Sequence, residues 1–205
     1  MNAINALRRL ESLVVPVFET RDAAALFATT TAATNMILRR LADKGFLVHI
    51  ARGRWALRDQ ASVYTLPEHL SAPDPAYVSL QSALYLHGMI EQVPAVTYAV
   101  TTGRNRRFPT PMGHVSLHHL PPKLFFGFEL RVGDGAKIAT PEKALVDLLY
   151  LSPARSRLFA QLPEVEIPKR FDWREVKRIL ARIPSTRRKT MVEKRLGQWQ
   201  TGKRT

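Results

Sequence analysis

Apolar residues recur at helical spacing in the first third of the chain. Leu7, Leu10, Leu13 and Val14 predict a helix over Asn5 to Val15, and Ala24 and Phe27 predict a short one over Arg21 to Phe27 with Thr20 as its N-cap. The Thr-rich turn Ala28-Thr29-Thr30-Thr31 interrupts the pattern. A further helix then runs from Thr31 to Lys44, with Ile37, Leu38 and Leu41 on one side, Thr34 above them, and Gly45 where a left-handed cap belongs. Its opposite face carries Ala32, Asn35, Met36 and Arg39, flanked by Arg40. Phe46 to Ile50 then reads as a strand, Arg52-Gly53 as a tight turn, and Arg54 to Leu57 as the returning strand. Phe46 and Trp55 are expected to pack on the helices.

Helix, Thr-rich turn, helix and glycine-tipped hairpin, in that order, outline a winged helix-turn-helix, a module that reads DNA. On this reading Asn35 and Arg39 supply base readout, since Asn pairs with adenine and Arg with guanine, each worth about 1–3 kcal/mol of discrimination. Ala32 and Met36 share that face, and Thr30, Thr31, Arg40, Arg52 and Arg54 make phosphate contacts. Arg52, Arg54 and Arg58 are expected around the hairpin tip, where Gly53 lets the backbone approach a phosphate. The plainer alternative is a common helix-hairpin unit in which Arg39 and Arg40 form a solvated face.

Beyond residue 60 the pattern changes. Pro67, Pro73 and Pro75 cluster with Ser71 and Asp74 without periodicity, so 61–76 reads as a linker between an N-terminal domain over 1–60 and a second domain over 77–205. In the second domain Ser79 caps a helix carrying Leu80, Ala83, Leu84 and His87, which ends at Gly88. Strand-like runs cover Val96 to Thr101, Val115 to Leu120 and Phe126 to Val132, with the basic loop Gly103 to Phe108 between the first two. Gly133-Asp134-Gly135 reads as a hairpin turn, Lys137 to Ala139 follows it, and Thr140-Pro141 opens a helix with Leu145, Leu148 and Leu149 on its apolar face. Two amphipathic basic helices close the chain, one capped by Asp172 with Trp173, Val176, Ile179, Leu180 and Ile183, the other starting near Ser185 with Met191, Val192 and Leu196. The expected fold class is α+β: an N-terminal winged helix-turn-helix followed by a mixed α+β domain with basic C-terminal helices.

Charge sharpens the division. The 205 residues carry a formal charge of +14, and its distribution is uneven. Residues 1–60 hold nine basic and five acidic side chains, 61–168 nine of each, and 169–205 thirteen against three. Such a balance favours polyanionic partners. Arg174, Lys177, Arg178 and Arg182 recur along one helix and fit either a nucleic-acid contact or a solvated exterior; Arg104, Arg106 and Arg107 fit a phosphate backbone or an acidic partner. No run of about 18 apolar residues and no signal peptide is present, so a soluble cytoplasmic protein with no membrane association is expected. The chain has no cysteine, which removes disulfides and thiolate ligands.

Catalytic readings find little support. His87, His114, His118 and His119 lack metal-site spacing, and His87 reads as a hydrogen-bonded core histidine. There is no GxSxG elbow and no phosphate loop. Asp134, Glu142 and Lys143 are the nearest approach to a nuclease trio, but adjacent helical side chains diverge by about 100°. Glu129-Leu130-Arg131 has alternate spacing with Arg where a lysine is needed. Glu142 fits a helix N-terminus, and Lys143 and Asp147 fit an i,i+4 pair on the helix surface. No catalytic residue, metal or cofactor is assigned.

Three blocks carry a family resemblance. Pro75 to Gly88 (PAYVSLQSALYLHG), Thr97 to Thr102 (TYAVTT) and Ile138 to Asp147 (IATPEKALVD) resemble the signature blocks of the AbiEi family. Its members are antitoxins and transcriptional regulators of AbiE abortive-infection toxin-antitoxin systems. With the N-terminal unit, the resemblance spans most of residues 1–150. It implies an antitoxin that binds inverted repeats in the double-stranded DNA of its own promoter and represses its operon. It also implies antagonism of a nucleotidyltransferase-like toxin without a stable complex. The alternative from another class is an RNA-binding or protein-interaction module that sequesters the toxin or its substrate RNA.

Overall fold

The computed structural model describes residues 2–13, 15–152 and 163–201. Val14, one of the apolar positions assigned to the first helix, lies outside the described residues, as do 202–205 of the C-terminal segment.

Three helices come first: α1 (Ala3–Glu11), α2 (Thr20–Phe27) and α3 (Thr31–Asp43). The first is shorter than its apolar spacing suggests and starts earlier, because the Asn2 side chain accepts the Ile4 N–H and caps it. Glu19, rather than Thr20, occupies the N-cap of α2, where its N–H donates to Asp22 Oδ2 at 2.9 Å. Thr30 caps α3 by accepting the Ala33 N–H at 3.2 Å, and Gly45 follows the helix with φ +81°. Strands β2 (Leu47–Ala51) and β3 (Arg54–Leu57) form the expected hairpin, and β1 (Val17–Glu19), which the sequence did not reveal, adds to its other side to give the order β1-β3-β2.

The stretch 61–76 is not the unstructured linker expected from its prolines. It contains α4 (Leu66–Ser71), begins β4 (Ala76–Val78), and has a cis Ala72-Pro73 bond. Pro67 sits in the first turn of α4, where proline costs no hydrogen bond, and Leu66 and Leu70 are buried one turn apart.

A six-stranded mixed sheet follows, in the order β6-β7-β5-β4-β9-β8. Its members are β4, β5 (Val96–Thr101), β6 (Arg106–Thr110), β7 (Gly113–His119), β8 (Phe128–Leu130) and β9 (Lys137–Ala139), with β4–β9 and β5–β7 parallel and the other pairs antiparallel. The run Phe126 to Val132 is strand only at its centre, β8. Half of the expected Gly103 to Phe108 loop is strand as well: β6 pairs Arg106 with Leu117 and Arg107 with Ser116. As an edge strand it tolerates Pro109.

Helices α5 (Leu80–Leu86), α6 (Pro141–Leu151), α7 (Trp173–Ala181) and α8 (Thr186–Thr201) complete the chain, so the architecture is mixed α+β. Strand alternation sorts its layers. In the small sheet Phe18, Leu47, Trp55 and Leu57 pack with α1–α3, whereas Val17, Val48 and Ala56 face Ala76, Ala99, Val115 and Leu117 of the large sheet across Leu66 and Leu70 of α4. The large sheet's other face presents Tyr77, Val100 and Ile138 to α5 and α6, and α7 and α8 lie over α6. The stack therefore runs from α1–α3 through two sheets to α5–α6 and finally α7–α8. No helix in the described residues is long and apolar enough to cross a membrane.

Candidate nucleic-acid interface

The outward face of α3 is set by what its inward face buries. Thr34, Leu38 and Leu41 are buried and Ile37 half-buried, which leaves Thr31, Ala32, Met36, Arg39 and Arg40 exposed and Asn35 half-buried at the edge. Between α3 and the hairpin lies an open groove of about 720 Å³, lined by Thr31, Asn35, Arg39, Asp43, Arg52 and Gly53 among others. Trp55 forms its floor.

A buried hydrogen bond locks these parts together. Trp55 Nε1 donates to Thr20 Oγ1 at 3.0 Å, and the Thr20 hydroxyl faces Gly53 O at 3.4 Å and Asn35 Oδ1 at 3.5 Å. The Thr20 N–H also donates to Gly53 O at 2.8 Å. One threonine therefore ties the start of α2, the middle of α3 and the hairpin tip, and His49 rests against the Trp55 ring with centroids 4.5 Å apart. Gly53 holds φ +72°, a conformation that costs glycine little. No local pattern signals this tie, because it joins residues 15 to 35 positions apart in the chain.

The expected cations divide. Arg39, Arg40 and Arg52 are exposed, with Arg39 and Arg52 on the groove. Arg54 is half-buried and turned to its cross-strand partner Glu19, Nε to carboxylate 3.7 Å, instead of standing free at the tip. Arg58 is not at the tip either. It follows β3 at the open end of the hairpin, where its N–H donates to Phe46 O and its Nε donates to Gly45 O at 2.6 Å, closing the end of α3. Trp55 is buried as expected, but Phe46 is 42% exposed, since it lies in the turn between the end of α3 and the start of β2 at Leu47.

At the other end of the molecule Arg174, Lys177, Arg178 and Arg182 are all exposed. Arg178 pairs with Glu175 at 3.1 Å, and the Arg182 guanidinium lies 4.2 Å from the Phe126 ring centroid. Two further cations of this region serve packing: Arg188 donates to Tyr150 O at 2.7 Å, and Arg195 donates to Ser152 Oγ. Arg104, Arg106 and Arg107 are exposed on and beside the β6 edge.

The residues weighed for catalysis are not gathered. Asp134 is held by Arg131 and Ser62, Glu142 accepts the Asp172 N–H at 2.9 Å, and Lys143 pairs with Asp147. Burial pushes the Asp134 carboxyl up, but hydrogen bonds from Arg131, Ser62 and the Ala136 N–H outweigh it and hold it at about 2. Among the described residues no group of three or more His, Asp or Glu side chains could hold a metal ion. His87 bonds the Ala139 carbonyl at 2.7 Å from an exposed position at the end of α5, not from the core. His118 lies beside Ser116 at 3.1 Å, and burial, with Arg107 adding to it, lowers its pKa to about 4.

The largest departure from expectation is Lys143. It and Asp147 do not meet on a solvated helix surface: their side chains are 0% and 1% exposed. Asp147 also accepts from Tyr77 OH at 2.9 Å and Ser79 Oγ at 2.8 Å, so the Ser79 hydroxyl serves this cluster instead of capping α5. Compared with known families and characterised proteins, the chain matches no family model and no curated protein.

Proposed function

We propose that this protein is a DNA-binding transcriptional regulator whose N-terminal unit works as a winged helix-turn-helix. The observation that carries the reading is the open groove in which Asn35 and Arg39 of α3 stand beside Arg52 and Gly53 of the hairpin tip. The half-buried Asn35 amide and the exposed Arg39 guanidinium, one turn apart on the groove side of α3, are suited to base edges in a major groove, and Arg52 is suited to the flanking phosphates. Thr30 and Thr31 bring the N-terminus of α3, with its free N–H groups and positive dipole end, to the same surface. The three sequence blocks that resemble AbiEi proteins extend the proposal to an autorepressor and antitoxin acting against a nucleotidyltransferase-like toxin, with no catalytic site of its own.

The test is a gel-shift titration of the full chain against its own upstream DNA and a scrambled duplex at about 50 and about 200 mM salt. The expected result is a preference of about a hundredfold or more for the upstream DNA, retained at the higher salt, and lost in Arg39→Ala. Equal binding of both duplexes that falls together with salt would overturn the proposal. Charge alone would then account for the binding, and the toxin or an RNA becomes the ligand to test.

A further inference from the structure

The net positive charge of this chain comes from residues 1–60 and 169–205, whose helices lie in different layers of the fold. Residues 169–205 hold thirteen basic and three acidic side chains. Helices α7 and α8 bury Val176, Ile179, Leu180, Val192 and Leu196 toward α6, which turns Arg174, Lys177, Arg178, Arg187 and Lys194 outward, away from both sheets. Of these, Arg178 has a carboxylate partner, Glu175; among the described residues the other four have no ion pair. In α7, positions 174, 177 and 178 lie on one side of the helix, and in α8 positions 187 and 194 are two turns apart in line.

The groove of α3 belongs to the opposite end of the stack. The small sheet, α4, the large sheet and the α5–α6 layer lie between α3 and the α7–α8 layer. A duplex seated between α3 and the hairpin tip is bounded by the small sheet, and the outward cations of α7 and α8 face away from that sheet.

We infer that the outer face of α7 and α8 is a second DNA-binding surface, which takes the phosphate backbone of a separate duplex segment, so that one chain holds two segments at once. The inference rests on the proposed DNA-binding reading of α3. Charge complementarity names the occupant. The face offers several free cations, and among its described residues no exposed ring on which unpaired bases could stack, since Trp173 lies against Phe171 with ring centroids 4.9 Å apart. A surface of this kind binds duplex backbone without reading sequence, at roughly 0.9 units of salt slope per phosphate contact.

The experiment is a bridging assay with the full chain. One duplex of its upstream DNA is fixed to beads, and capture of a second, labelled, scrambled duplex is measured. Wild type is expected to capture the second duplex. The variant carrying Arg174→Glu, Lys177→Glu and Lys194→Glu is expected to lose that capture by about tenfold or more, while its affinity for the upstream DNA alone changes by less than about threefold. All three positions are exposed, and a circular dichroism spectrum and melting temperature matching wild type verify the fold. A second variant, Arg39→Ala with Arg52→Ala, is expected to lose preference for the upstream sequence and keep salt-sensitive binding. Three outcomes overturn the inference: wild type holds one duplex only, the charge-reversed variant bridges as well as wild type through two copies of α3, or that variant shortens the footprint on a single duplex. A failure of the α3 reading looks different, because wild type would then show no preference for upstream DNA, whatever it bridges.

Discussion

Removing the carboxylate of Asp147 tests the energetic reading of the core directly. In Asp147→Ala the Lys143 ammonium, 0% exposed, loses its only counter-ion among the described residues. What remains around it is the ring of Tyr77, with Nζ 5.6 Å from its centroid, and that of Phe126 at 5.3 Å. Tyr77 OH and Ser79 Oγ lose their acceptor in the same step. Breaking a buried pair from one side costs about 3–5 kcal/mol, a large share of the roughly 5–15 kcal/mol that holds a domain of this size. At about 2–4 °C per kcal/mol the melting temperature should fall by roughly 6–20 °C.

The assay is urea unfolding followed by tryptophan fluorescence, run at several pH values. Burial lowers the Lys143 pKa against the opposing pull of Asp147, and without Asp147 only the lowering remains. The unfolded chain then binds more protons than the folded one above the folded pKa of Lys143, so the variant should regain stability as pH rises toward about 10. Lys143→Met combined with Asp147→Asn should cost less than Asp147→Ala alone, because it leaves no buried charge and keeps an acceptor for one hydroxyl. A loss below about 1 kcal/mol, or a loss that does not change between neutral pH and pH 10, would refute the reasoning.

Thr20→Val should cost about 1–3 kcal/mol by stranding the buried Trp55 N–H; denaturant unfolding measures it, and affinity for upstream DNA should fall through loosening of Asn35 and the hairpin tip. Ala28 ends α2 at φ +51°, so Ala28→Gly should stabilise the chain by about 0.5–1 kcal/mol, read as a small rise in melting temperature; a fall would show that the Ala28 methyl contributes more than its backbone costs. The Asp134 carboxyl is held at about 2, below its unfolded value, so the Arg131–Asp134–Ser62 clasp contributes above about pH 4 and is lost as pH falls toward 2. Because this carboxylate lines an open cleft, the contribution is about 1 kcal/mol, and an Asp134→Asn variant should show a correspondingly flatter acid limb.

Local chemistry carried much of the N-terminal unit. The stripe of Thr34, Leu38 and Leu41, the Thr30 cap, the Gly45 turn and the Arg52-Gly53 tip all act within a few residues of one another, so their spacing alone yields α3 and the hairpin, and with them the exposure of Arg39 and Arg52. The Asp172 and Thr140 caps worked the same way for α7 and α6. Where an element depends on what covers it, the sequence did not show it. Strand β1 exists because β3 offers it an edge, and α4 because the facing sheets bury Leu66 and Leu70 despite the surrounding prolines. Arg54 and Arg58 carry the same charge as Arg52, but Glu19 and the Gly45 carbonyl take them off the groove. Lys143 and Asp147 have an i,i+4 spacing that is identical on a wet or a buried helix face. Only the large sheet behind α6, with α7 and α8 packed over it, decided that this pair lies in the core, because periodicity marks which residues share a face but not how many layers cover it.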